Sequence, residues 1–314
     1  RGLQQADSRV LSEAQRAALV EPRRNRILAL AGILGLLLGG GIVLGRETLR
    51  TQFRTAEALE EFTGLTVLGE VPVLPIRRRR ELVSYLDSRP TSAGAEAVRN
   101  LRTSILMANI DRPPQVIMMT SALPGEGKTT AAIAIGHNLA TLGRRVLLVE
   151  GDVRRRTFGE YVQARSKHSL ISVLVGEASL GEAAVREPAL GADVLVGARS
   201  PVSAADLFAS ERFRDLVAAA REAYDTVIID TPPVLVVPDA RVIGEHADAI
   251  VFSVTWDRTG RNQVADGLRQ FHTVGLSVAG VVLSQVDPAR MRRYGYGDRY
   301  GAYARYGRRY YETG

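Results

Sequence analysis

Residues 115–141 constrain this chain more than any other stretch. An apolar run, "QVIMMT", passes directly into "SALPGEGKTT" and then into an amphipathic segment, "AAIAIGHNLATLG". A strand that turns through glycines into a helix leaves the first N–H groups of that helix unpaired and pointing outward, where they bind phosphate. The pattern Ala122-x-x-x-x-Gly127-Lys128-Thr129 is a phosphate-binding loop with Ala in place of the usual first Gly. Gly125 and Gly127 let the backbone curl round phosphate oxygens, with Glu126 between them and Thr130 closing the motif. Lys128 is placed to reach the β- and γ-phosphates of ATP, and the Thr129 hydroxyl to ligate Mg²⁺.

A loop of this kind sits on a parallel sheet, and the rest of the chain supplies one. Short apolar runs recur at 145–150, 193–197, 225–230, 248–254 and 278–284, separated by helical stretches. A helix with apolar positions Ala97, Leu101, Ile105 and Leu106 precedes the first of them. Continuous apolar strands alternating with helices predict an α/β fold, a doubly wound parallel sheet with helices on both faces, over residues 91–289.

Two flanking segments do not belong to such a domain. Residues 27–45, "ILALAGILGLLLGGGIVLG", carry no charge. As a helix they would be about 28 Å long, close to the hydrocarbon thickness of a bilayer. This predicts one transmembrane helix, preceded by a short extracytoplasmic stub at 1–26 and followed by a juxtamembrane linker at 46–90. Glycine pairs four apart (Gly35 with Gly39, Gly41 with Gly45) permit close helix contact in a membrane. Arg23, Arg24 and Arg26 before the run balance Arg46, Arg50 and Arg54 after it, so charge alone leaves the orientation open. At the other end, seven of the ten tyrosines lie between Tyr294 and Tyr311, among Gly and Arg with almost no aliphatic partners. Residues 290–314 cannot bury enough apolar surface to offset their ordering entropy and read as a disordered tail.

The absence of cysteine excludes disulfides, Cys-ligated zinc and iron–sulfur clusters. The net charge of +7 is concentrated in arginine runs at 77–80, 154–156 and in the tail, which fit solvated surface, anionic lipid or nucleic acid. Acidic strand ends complete the chemistry. "VIIDTPP" places Asp230 just beyond a buried strand, where a nucleotide-using enzyme holds Mg²⁺. "VLLVEGDVR" places Glu150, Asp152 and Arg154 at the end of another, with the two carboxylates two residues apart and facing one metal or one attacking hydroxyl.

In this order, a phosphate loop, an acid-x-acid-x-Arg motif, an apolar-Asp-Thr-Pro-Pro motif and a tyrosine cluster resemble the bacterial tyrosine kinases. "EAVRNLR" adds that family's Glu-x-x-Arg-x-x-Arg helix at Glu96, Arg99 and Arg102, and "LEEFTGLTVLGEVPVLP" behind the apolar run is similar to the membrane junction of polysaccharide co-polymerases. The resemblance implies an ATP-dependent protein-tyrosine autokinase that regulates capsule or exopolysaccharide polymerisation and export. Lys128, Thr129, Thr130, Gly125, Glu126, Gly127 and Arg154 would bind ATP, and Thr129, Asp152 and Asp230 would hold Mg²⁺. Lys128, Glu150, Asp152 and Asp230 would serve catalysis. The phosphoacceptors would be Tyr294, Tyr296, Tyr300, Tyr303, Tyr306, Tyr310 and Tyr311, modified in trans, with Glu96, Arg99 and Arg102 forming the interface of a ring-like homo-oligomer. It further implies a bacterial inner-membrane protein with a cytoplasmic kinase domain, a polysaccharide polymerisation and export machinery as partner, a cognate tyrosine phosphatase, and no nucleic acid.

Glu150 stands where the family usually has Asp, and Ser284 where relatives commonly have Asn. The first substitution favours an alternative, an ATP-binding but catalytically weak chain-length regulator. Partitioning and cell-division ATPases carry a signature Lys five positions before the loop Lys, where this chain has Leu123. The Arg/Gly/Tyr tail also fits an RNA-binding arm.

Overall fold

A computed structural model describes residues 24–48, 51–109, 112–163, 165–200 and 202–294, and the chain divides into two compact units, 1–50 and 51–314. In the first, helix α1 (Arg24–Thr48) covers the whole uncharged run. Leu28, Leu34, Leu36 and Leu38 point to different sides of this helix, and each is 59–79% exposed. Among the described residues no helix is long and apolar enough to cross a membrane. The described side chains of α1 begin with Arg24 and Arg26 and stop at Gly41, short of the last apolar residues of the run. Most of the expected stub, residues 1–23, lies outside the described residues.

The second unit is built on one eight-stranded sheet: β1 (Val67–Pro72), β2 (Val116–Ser121), β3 (Val146–Glu150), β4 (Val185–Glu187), β5 (Ala192–Leu195), β6 (Thr226–Asp230), β7 (Ala249–Thr255) and β8 (Gly280–Val286). The order is β1-β8-β7-β2-β6-β3-β5-β4, and every neighbouring pair is parallel except β4 with β5. The six predicted strands all form. β2 lies between β6 and β7, and its side chains alternate between two cores: Val116 and Met118 enter one, Ile117 and Met119 the other. An apolar residue at every position is what a strand covered on both faces requires.

One face is covered by α4 (Ala93–Met107) and α5 (Lys128–Thr141), which follow α2 (Ala56–Thr63) and α3 (Leu82–Ser88) in the chain. The Ser92 hydroxyl caps α4 by accepting from the Ala95 N–H at 3.2 Å, and α4 buries Ala95, Val98, Leu101 and Ile105. The predicted Ala97 and Leu106 are half-buried at the edge of that stripe. The other face receives the helix Glu211–Ala223 through Phe213, Leu216, Val217 and Ala220.

The segment 46–90, expected as a linker, is mostly part of the domain. Phe53 and Leu59 are fully buried, α2 is capped by Thr55 and ended by Gly64 at φ +67°, and β1 extends the sheet alongside β8. Pro72 and Pro75 mask the strand in the sequence. Pro72 is tolerated because it closes an edge strand, where a missing N–H costs no central ladder bond. The base of β2 is pinned from the neighbouring turn, where the Asp248 carboxylate accepts from the Gln115 and Val116 N–H groups at 3.0 and 2.7 Å and from Arg221.

Candidate active site

The C-terminal ends of β2, β6 and β3 lie side by side, with Met119 opposite Asp230 and Asp230 opposite Glu150. Everything the sequence places after those strands therefore converges on one edge of the sheet, where open α/β sheets bind ligands. Gly151 is required there. Its N–H donates to the Asp230 carbonyl at 2.8 Å, and a Cβ would lie 2.9 Å from that same oxygen.

Between Ser121 and Lys128 the chain turns through Gly125 (φ +83°) and Gly127 (φ +81°), a left-handed conformation that other residues adopt at a cost. Glu126 between them turns inward. Its buried carboxylate accepts from the Leu123 N–H at 2.7 Å and from the Thr259 hydroxyl, and burial pushes its pKa up against these bonds. Glu126 thus shapes the loop from within. Ser284 and Gln285 brace it from β8: the Ser284 hydroxyl donates to the Glu126 carbonyl and the Gln285 amide to the Gly125 carbonyl, both at 2.7 Å. Gln285 sits at φ +55° to do so.

The Lys128 ammonium lies between two carboxylates, 3.4 Å from Asp230 Oδ1 and 3.6 Å from Asp152 Oδ2. The Thr129 hydroxyl donates to Asp230 Oδ2 at 2.7 Å. All four residues are buried, and burial pushes the Asp230 carboxyl up while Lys128 and Thr129 pull it down. Asp152 is aimed by the turn that follows it, its Oδ1 accepting from the Arg155 N–H at 3.0 Å. Thr130 meets the Tyr161 hydroxyl at 2.6 Å, and Thr157 lies 3.5 Å from Thr129.

Glu150 faces elsewhere than the sequence suggests. Its two oxygens accept from the Phe158 N–H at 2.6 Å and the Gly197 N–H at 2.9 Å, tying together the segments that follow β3 and β5. Burial raises its pKa to about 7, against the pull of those two amides. Arg154, expected at the nucleotide, is half exposed and paired with the buried Asp239 at 3.4 Å, while Arg155 lines the cavity. Asp239, Tyr161, Thr259 and Gln285 carry no motif. Only their positions in space reveal them.

A cavity of about 250 Å³ opens over the loop. Its polar end is the loop itself with Asp152 and Arg155. Its apolar end is formed by Val71 of β1, Leu74 just beyond it, Leu101 of α4 and Ile135 of α5. Unpaired N–H groups at the start of α5, one lysine and a ring of oxygen ligands suit a polyphosphate, and the apolar end suits a planar base. Among the described residues no cluster of three or more His, Cys, Asp or Glu is arranged to hold a metal. The hydroxyl and two carboxylates around the Lys128 ammonium, which occupies a cation's place, fit Mg²⁺, an ion that takes one or two carboxylates and the oxygens of phosphate.

On α4, Glu96 pairs with Arg99 within the helix, and Arg102 donates to Asn138 of α5 at 2.7 Å. Of the seven tail tyrosines, Tyr294 alone is described, and it is packed against the core after a last helix, Pro288–Arg293. Tyr296, Tyr300, Tyr303, Tyr306, Tyr310 and Tyr311 lie outside the described residues.

An AAA domain family model matches residues 114–274. A putative tyrosine-protein kinase EpsB of Ralstonia nicotianae is 31% identical over 293 residues, covering 90% of this chain and 39% of the relative. Tyrosine-protein kinase YwqD of Bacillus subtilis is 32% identical over 220 residues, 70% of this chain and 92% of that protein. The chain thus spans about two fifths of the length of the first relatives and nearly all of the shorter one. Among solved structures, the kinase domain of the Escherichia coli tyrosine kinase ETK superposes with a TM-score of 0.69 at 27% identity, covering 74% of this chain and 95% of that one. The BceF tyrosine kinase domain gives 0.66 at 26%, covering 75% and 100%.

Proposed function

The chain belongs to the AAA-domain family and, within it, to the bacterial tyrosine kinases, and from that premise we propose that it transfers the γ-phosphoryl group of ATP to tyrosines in the C-terminal tail of a neighbouring copy. The observation that carries this reading is the buried Lys128 ammonium held between Asp152 and Asp230, with Thr129 on the same carboxylate. With ATP in the loop, Lys128 turns to the β- and γ-phosphate oxygens, and the N–H groups at the start of α5 hold the same phosphates. Thr129, Asp152 and Asp230 hold Mg²⁺, which supplies positive charge to the phosphate oxygens when bound. Asp152 accepts the phenolic proton as the tyrosine oxygen bonds to phosphorus and the bond to the bridging β–γ oxygen breaks, releasing ADP. Glu150 acts at one remove, tying the turn after β3 at Phe158 to the segment after β5 at Gly197.

The surroundings follow from the same reading. Residues 27–45 cross the bacterial inner membrane, since a helix whose described leucines are exposed on different sides needs apolar surroundings. An ATP-using domain then faces the cytoplasm. Glu96, Arg99 and Arg102 bind a second copy in a ring, and the assembly serves the polymerisation and export of a capsular or exopolysaccharide, reset by a cognate tyrosine phosphatase. A second reading, an ATP-binding regulator that transfers phosphate poorly, draws support from the Glu150 oxygens being occupied by backbone amides. One assay separates the two. With Mg-ATP the parent labels its own tail, and Lys128→Met abolishes labelling by at least about 100-fold, as expected for loss of a phosphate-stabilising cation. Equal labelling of Lys128→Met would overturn the active-site assignment. ATP binding with no labelling of the parent would select the second reading.

A further inference from the structure

We propose that Tyr294 is the anchor of the tail and not one of its phosphoacceptors, which begin at Tyr296; this rests on the kinase reading above. Tyr294 sits in a built clasp. Its ring lies under the Arg54 guanidinium, 3.9 Å from the ring centroid, and against Trp256 at 6.2 Å. Its hydroxyl lies 3.5 Å from Asp257 Oδ2 and 3.4 Å from Arg290 Nη2.

Asp257 is the centre of the clasp. Its carboxylate accepts from Arg54 Nε at 2.7 Å and from Arg290 Nη2 at 3.0 Å, and its backbone N–H donates to the Phe53 carbonyl at 2.8 Å. It adopts φ +51°, a conformation that a non-glycine residue holds only where its surroundings enforce it. The Trp256 indole N–H donates to the Arg54 carbonyl at 2.9 Å. The chain that follows α1 and the chain that starts the tail are therefore fastened to one turn after β7. A second bond of that turn, from Thr259 to Glu126, reaches the phosphate loop.

Two consequences set Tyr294 apart from the six tyrosines that follow. The closed clasp holds its oxygen between the Asp257 carboxylate and the Arg290 guanidinium, where it cannot be presented to the site of another copy. Reach is the other. An extended chain advances at most about 3.6 Å per residue, so Tyr296 gains up to about 7 Å from the anchor and Tyr300 up to about 22 Å. Tyr294 gains none. Labelling should therefore rise along the tail from its rooted end.

The test uses the whole chain in detergent and two independent readouts. After incubation with Mg-ATP, site-resolved mass spectrometry should find Tyr294 labelled about tenfold less than Tyr300, a factor in keeping with a ring held by one cation and one aromatic face. Nitration by tetranitromethane without ATP should spare Tyr294 in the same way. In Arg54→Ala/Arg290→Ala both protections should disappear, and the emission of Trp256, the single tryptophan of the chain, should move to the red. Labelling and nitration of Tyr294 equal to those of Tyr300 in the parent would overturn the proposal, as would protection that survives in the double variant. If no tyrosine is labelled, the kinase reading fails, and nitration still decides whether Tyr294 is anchored.

Discussion

Glu150 and Asp152 stand two positions apart at the end of one strand, yet they face different partners. Asp152 points at the Lys128 ammonium, whereas Glu150 spends both oxygens on backbone N–H groups of two loops. This division predicts different fates for the two amide variants. Glu150→Gln must set an NH₂ group against one of those N–H donors, and it should lose about 1–3 kcal/mol of stability in chemical denaturation, the usual cost of a buried donor left unpaired. Tail labelling should persist wherever that variant is folded. Asp152→Asn should keep the fold and lose labelling. The opposite pattern, a folded but silent Glu150→Gln beside an active Asp152→Asn, would exchange the two roles. Lys128, Thr129, Asp152 and Asp230 were legible in the sequence because a phosphate loop and acidic strand ends have fixed spacing. Glu150 was legible as an acid but not in its direction, because a carboxylate that braces a loop and one that meets a metal look alike in one dimension. Asp239, paired with Arg154 across 85 positions, and Thr259, paired with Glu126 across 133, leave no local signal at all.

Among the elements, six strands of the sheet could be read as apolar runs, and the two edge strands could not. β4 is three residues long, and β1 carries the proline and glycine that elsewhere mark loops. What holds the segment before β1 is burial, with Phe53 and Leu59 at zero exposure. Phe53→Ala should therefore cost about 3–5 kcal/mol, as for other fully buried aromatic truncations, although its surroundings read as a linker. A loss of under about 1 kcal/mol, the ordinary effect of a surface change, would return the segment to the status of a tether. Helix α4 is the other informative element. Its Glu96–Arg99 pair is partly exposed and contributes little to the fold, and Arg102 makes one bond to Asn138, so Arg99→Ala/Arg102→Ala should cost only about 1 kcal/mol of stability. If these residues bind a neighbouring copy, light scattering should nevertheless find the variant shifted towards monomer. The same mass for parent and variant would remove α4 from the proposed interface.

For the whole molecule, the tail and the site are complementary in charge. Residues 290–314 carry seven Arg against Asp298 and Glu312, a net charge of about +5, and the site sets two buried carboxylates, Asp152 and Asp230, against the single Lys128. Each phosphate adds about −1.5 to −2, so three cancel the charge of the arm and more invert it. Labelling should accordingly release a tail from a neighbouring copy and loosen the proposed ring. Replacing all seven tail tyrosines with Phe keeps the rings and the positive charge, and that variant should stay oligomeric in Mg-ATP while the parent dissociates. The most direct measurement is the intact mass of the tail peptide, released from the whole chain by proteolysis before and after incubation with Mg-ATP. A ladder of phosphate additions is expected in the parent, none in Lys128→Met, and the added groups should be placed from Tyr296 onward. A parent tail of unchanged mass, with ATP bound, would contradict it.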